Sequence, residues 1–245
     1  MLRRLARHVV MLVGMLAAAV AHAQPFSSAE QAGEWITFYY RKPEPDRLPE
    51  ALRVLSKEGM LKQDKGGPPI TGFLSGVFRT RPQAVGALAG RLGFLPEDEQ
   101  SVLLLALWYA AIPEAKAILK DLSASMPGQR GRIEFLVATP GRHIVEIPPD
   151  QGAWVLDAWW GFFLATGDEL PIRAIIAVLP WTKVRGDTGR LLIGGAARWS
   201  LISNAIQHDR VLEICKAQLA VQGAEVAELL KEVVSTAEAE RAKRK

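Results

Sequence analysis

Side chains able to do acid–base or nucleophilic chemistry are few in this 245-residue chain, which carries four histidines and one cysteine. His8 and His22 fall in an N-terminal segment that reads as a leader, leaving His143, His208 and Cys215. Two histidines and one thiol cannot build a zinc-type cluster of familiar spacing, so no metal and no cofactor is expected. His208 and Cys215 are seven residues apart, about 10.5 Å along a helix. That is too far for the hydrogen bond a thiol–base pair requires. "QHDR" reads instead as a turn, with Asp209 capping the helix that follows. Cys215, within "VLEICKAQL", reads as a small buried hydrophobe.

Other motifs give no sharper signal. Ser75 in "LSGVF" and Ser200 in "RWSLISNA" lack the GxSxG setting of a nucleophile elbow. "GALAGRLG" and "LIGGAARW" lack the spacing that cradles phosphates, and close helix packing explains their glycines. Asp157, Asp168 and Glu169 lie near aromatics, a pattern that suits either a glycan site or helix termini. Trp108, Trp159, Trp160 and Trp199 recur at helical spacing and read as core. No catalytic, cofactor-binding or metal-ligating residue is assigned.

The strongest motif concerns destination. Arg3, Arg4 and Arg7 precede an apolar run of 12 residues, Val9 to Val20, which is followed by "AHA". This is the layout of a secretory signal peptide over residues 1–23, cleaved between Ala23 and Gln24. The run is well short of the roughly 20 residues a spanning helix needs. The expectation is a periplasmic or secreted protein with no stable membrane insertion after cleavage; a retained anchor is the alternative. The whole chain has a net charge of +4. Three positive charges leave with the leader, and four more sit in the tail "RAKRK". The body is therefore near −3, which gives no basic footprint for nucleic acid.

Hydrophobic periodicity predicts helix nearly throughout. A first helix rich in aromatic and small residues runs into a polar break, and a second amphipathic helix ends in leucine. "VLDAWWGFFLA", "TGDEL" and "PIRAIIAVL" show the outline well, with Gly167 ending the first helix. Ile172, Ile175, Ile176 and Leu179 form the buried stripe of the second, and Gly161 allows a close backbone approach. The closing leucines Leu55, Leu92, Leu122, Leu179 and Leu219 are separated by 37, 30, 57 and 40 residues. The long gap holds "SASMPGQRGRIEFLVATPGRHIVEIPPDQG", a Pro/Gly-rich insertion over 123–152. It reads either as a short β-hairpin or as a loop with a short helix. Hairpins are expected over 24–122 and 153–245, as one continuous globular domain from 24 to 235. "KQDKGGPP" separates the first two hairpins, and a charged terminal helix frays at its end.

This outline resembles the helical-hairpin repeat superhelices of the tetratricopeptide, Sel1 and HEAT type. "LLALWYAAIPEAKAIL" and "WWGFFLATGDELPIRAIIAVL" carry the large–small–aromatic first helix and the proline-started second helix. The resemblance implies an all-α, solenoid-like stack of irregular hairpins and a protein-binding scaffold, its partner another envelope protein. Two alternatives stay open: an envelope hydrolase using paired carboxylates, and a binder of an apolar ligand. The first requires two carboxylates converging in one cleft; the second requires an apolar cavity of a few hundred Å³.

Overall fold

The computed structural model describes residues 24–244 apart from 63 and 65. The expected leader, with Ala23 at its cleavage point, lies outside the described residues, and Gln24 is the first of them. Among these residues the chain forms twelve α-helices and no strand. They are α1 (Ala29–Thr37), α2 (Leu48–Lys57), α3 (Gly67–Thr80), α4 (Val85–Arg91), α5 (Gln100–Tyr109) and α6 (Ala115–Ser125). Then follow α7 (Arg130–Ala138), α8 (Trp154–Thr166), α9 (Leu170–Ala177), α10 (Thr188–Gln207), α11 (Asp209–Gln218) and α12 (Ala224–Lys243). The all-α expectation is met.

Local chemistry sets the ends of these helices. Proline occupies the first turn of α2, α3 and α9, where its missing N–H costs little. Ser28 Oγ accepts from the Gln31 N–H at the start of α1, and Asp187 Oδ1 accepts from the Arg190 N–H at the start of α10. Gly167 ends α8 at φ 67° and Gly59 follows α2 at φ 62°, the left-handed region that glycine enters without a Cβ penalty.

Two helices are apolar on every side and so must lie inside. Every residue of α3 from Ile70 to Phe78 is buried, and so is every residue of α8 from Ala158 to Phe163. The two pack along their lengths with almost nothing between the backbones. A Cβ at Gly72 would overlap the Ala158 carbonyl, and one at Gly161 would overlap the Pro69 carbonyl and lie 2.8 Å from the Phe73 nitrogen. Small residues here let the backbones meet.

Around this pair the core divides in two. One cluster, which includes Phe73, Phe78 and Leu104, draws on α1 to α7 and on Ala165 of α8; the other, which includes Trp159, Ile176 and Val233, draws on α8 to α12 and on Ile144 and Ile147 of the insertion. Leu164 packs against both. The closest helix pair thus joins segments about ninety residues apart in sequence. In a solenoid each repeat contacts mainly its neighbours, whereas here the hairpins gather around a non-sequential pair, as in an irregular bundle.

The insertion forms helix, and its β-hairpin reading is corrected. "RIEFLVA" lies in α7, with Ile133 and Leu136 buried and Phe135 63% exposed. Burial three residues apart is a helical face; strand alternation would have buried Phe135 with Ile133. "HIVE" is a 3-10 turn, Ile144–Glu146, followed by a second turn at Pro149–Gln151. The "KQDKGGPP" stretch already contains the start of α3 at Gly67. The charged tail is helical as far as Lys243, and Arg241 donates to the Ala205 carbonyl and pairs with Asp209.

One backbone position is strained. Ala111 has φ 50° just beyond α5, while the preceding Ala110 carbonyl accepts a hydrogen bond from Arg79 at 2.9 Å. Left-handed backbone costs a non-glycine residue about 1–2 kcal/mol, and glycine gives back about 0.5–1 kcal/mol in lost freedom. Ala111→Gly is therefore expected to stabilise the fold by about 0.5 kcal/mol in urea unfolding. Gly72→Ala is expected to destabilise it by about 3 kcal/mol or more through overpacking against backbone. Gly86→Ala is the control, since a Cβ there meets nothing within 4 Å; it should be neutral or slightly stabilising.

Candidate functional site

The residues singled out in the sequence separate into structural and surface roles. Cys215 is fully buried, and burial pushes its thiol up to about 12; it stays protonated and packs as a hydrophobe. Ser75 and Ser200 return their hydroxyl hydrogens to the Gly72 and Ala197 carbonyls of their own helices. Asp168 Oδ1 accepts from the Leu170 N–H, Glu169 pairs with Arg173, and Asp157 sits in the first turn of α8. The helix-terminus reading of these carboxylates accounts for their positions.

His208 departs from the simple turn expected of it. The ring is wholly buried at the start of α11, against Phe38, Tyr40 and Phe163. Its Nδ1 lies 3.2 Å from the Tyr40 hydroxyl, which itself accepts from Arg41 Nε at 3.3 Å. Tyr40 therefore donates to Nδ1, and the ring is neutral with its hydrogen on Nε2. Nε2 is buried with no partner among the described residues. Burial, reinforced by Arg41 and Arg241, lowers its pKa to about 4, against a smaller opposing effect of Asp209. Asp209 is the first residue of α11 rather than its cap, and its carboxylate takes Arg241 instead. His208 thus ties the N-terminal segment to α8 and α11.

Two cavities flank the insertion turn. The α8 residues Trp154, Ala158, Phe162 and Thr166, spaced by four, share one side of that helix; the first two line one cavity and the last two the other. The polar cleft, about 770 Å³, has Arg79, Thr80, His143, Glu146, Thr166 and Asp168 in its wall. His143 stands edge-on to Phe162, and its Nδ1 accepts from the Val145 N–H at 3.2 Å. Burial and then Arg79 hold its pKa below the ordinary histidine value, against Glu146 and Asp168. The neutral ring presents an Nε2–H donor, its basic nitrogen already engaged. Two carboxylates do share the cleft, as the hydrolase alternative requires, but Asp168 is engaged at a helix start and Arg79 in capping α5. Among the described residues no group of three or more His, Cys, Asp or Glu is placed to hold a metal ion.

The second cavity, about 370 Å³, is apolar and lies between α3, α5 and α8. Leu105, Ile144, Trp154 and Ala158 line it, together with Thr71 and Tyr109. The insertion closes one side: Trp159 Nε1 donates to the Ile144 carbonyl at 3.0 Å and fixes Ile144 inward.

The third feature corrects the tryptophan reading. Trp159 and Trp160 are buried and Trp108 is half-buried, but Trp199 is 71% exposed on α10. The buried face of α10 runs Ile193, Ala197, Leu201 and Ala205, and Trp199 is out of phase with it. Leu192, 67% exposed, stands two turns before Trp199 on the same side. Beside them Thr182, Lys183, Gly195, Ile202, Leu229 and Glu232 line a groove of about 410 Å³.

The buried histidine makes stability pH-dependent. Its folded pKa lies below the unfolded value of about 6.5, so the stability it permits is complete above pH 6.5 and is lost as pH falls towards 4. About 3 kcal/mol should disappear across that window at roughly 1.4 kcal/mol per unit. His208→Phe should flatten this acid limb in urea titrations at a series of pH values, whatever it does to stability at pH 7. No protein-family model, no curated protein and no solved structure matches this chain.

Proposed function

We propose that this protein is exported to the periplasm and acts there as an interaction module, docking a helix of another envelope protein on the exposed face of α10. The observation that carries the reading is Trp199, a large aromatic left in solvent beside a groove. Exposed tryptophans next to grooves are the side chains that dominate interface energy when a partner desolvates them. Leu192, Gly195, Trp199 and Ile202 follow at steps of three, four and three, the seam spacing of paired helices. Gly195 leaves room in the middle of the seam, since a Cβ there meets nothing within 4 Å. The rim is charge-paired, Arg198 with Glu232 and Lys183 with Glu228, which suits an apolar contact with a polar surround. Among the described residues no helix is long and apolar enough to cross a membrane, and the leader over 1–23 supports export.

The experiment is photo-crosslinking in intact cells, with a benzoylphenylalanine placed at 192 or 199 and, as control, at 213 on α11. The account expects one discrete adduct from 192 and 199, none from 213, and a product whose N-terminus is Gln24. Trp199→Ala and Gly195→Glu, tested with the crosslinker at 192, should remove the adduct and leave the melting temperature within about 2 °C, because both sites are exposed. An adduct that persists in both variants would overturn the α10 face as the docking site. A product retaining residues 1–23 in the cytoplasm would overturn export.

A further inference from the structure

We propose that the apolar cavity between α3, α5 and α8 is a binding site for a compact, uncharged, ring-sized molecule carrying one hydrogen-bond acceptor. The inference does not depend on α10. The cavity's 370 Å³ falls at the small end of the roughly 300–1,000 Å³ of ligand sites, which suits one ring and a short substituent. Its walls are formed elements rather than loose loop. Ala158 is locked against Gly72 in the central pair, and Ile144 is held inward by Trp159. Half-buried Trp154, its Nε1 tied to the Gln151 carbonyl at 3.1 Å, stands in the wall on the insertion side.

Polar chemistry in the walls is sparse, and it is unspent. Among the described residues the half-buried Tyr109 side chain packs its ring on Trp108 at 5.0 Å and makes no hydrogen bond through its hydroxyl. Burial pushes that hydroxyl above the ordinary tyrosine value despite Arg142 nearby, so it is protonated and available as a donor. Thr71, 4% exposed, has its Oγ1 buried without a partner. Buried polar atoms are paired in the great majority of cases. Thr71 is the buried, unpaired case; the Tyr109 hydroxyl, on a half-buried residue of the same wall, has no protein partner among the described residues and can donate to an acceptor supplied from outside. No charged side chain lines the cavity, so a carboxylate, phosphate or ammonium would enter it unpaired and at high cost.

The test compares acetophenone with ethylbenzene, two molecules of nearly the same shape that differ by a carbonyl. Binding to the mature chain is followed by thermal shift and by quenching of Trp154 fluorescence, which a Trp154→Phe variant assigns. The site predicts that both bind and that acetophenone binds about five- to tenfold tighter, the yield of one hydrogen bond. Tyr109→Phe should bring the two affinities together without abolishing either. Leu105→Trp, which fills the cavity, should abolish both; a failure of that variant to fold leaves the Tyr109→Phe comparison to decide. Absence of binding by both molecules at millimolar concentration, or unchanged binding in Leu105→Trp, would overturn the site. An acetophenone advantage that survives Tyr109→Phe would overturn the role given to the hydroxyl.

Discussion

The fold is arranged around the close approach of the α3 and α8 backbones. Helices α3 and α8 touch through Gly72 and Gly161, each set against the carbonyl of a residue on the other helix. Both helices are buried on all sides over Ile70 to Phe78 and Ala158 to Phe163, so these stretches cannot face water and must be covered by the rest of the chain. The N-terminal hairpins cover one flank and the C-terminal hairpins the other, which is why the core has two clusters with a shared wall. Glycine makes a helix interior less stable by local propensity. The gain is dispersion contact over the whole length of the pair.

The same pair explains where the cavities are. The insertion turn Ile144–Glu146 crosses one side of α8, held there by the Trp159–Ile144 hydrogen bond. Space is left on either side of the turn, apolar towards Ala158 and polar towards Thr166. His208 does the corresponding service at the far end of α8. By accepting from Tyr40 and packing on Phe163, it ties the first segment of the chain to the last third. That fastening requires a neutral ring, so it holds only while the imidazole is unprotonated.

Much of this was legible in the sequence, because helix signals are local. Proline at helix starts, glycine at helix ends and the stripe Ile172, Ile175, Ile176 and Leu179 all mark what the chain forms. Gly161 could be read as a close-contact position, since a glycine inside a run of large apolar residues has few other uses. The partner of that contact was not legible. Nothing in "GPPITGFLSGVF" names α8 as its neighbour, because pairing between distant segments leaves no periodic trace, and a repeat of hairpins suggested sequential stacking instead. Trp199 was readable but misread. Counting from Ile193, Ala197, Leu201 and Ala205 would have placed it outside the buried stripe of α10. The apolar cavity was anticipated only as a class, since its walls come from three helices and one turn separated by many residues. His208 gave no sign of burial, because its partners Phe38, Tyr40 and Phe163 lie far away in the chain.

The account stands on α3 and α8 acting as one cooperative unit, and native-state hydrogen exchange measures that directly. Amides of Phe73 to Phe78 and of Ala158 to Phe163 should exchange only through global unfolding, with one shared free energy and the same denaturant dependence. Helices α4 and α7 should open locally at lower cost. If α3 and α8 instead exchange with separate free energies, each closer to its sequence neighbours than to the other, the two halves fold as independent stacks and the central pair is not what holds them together.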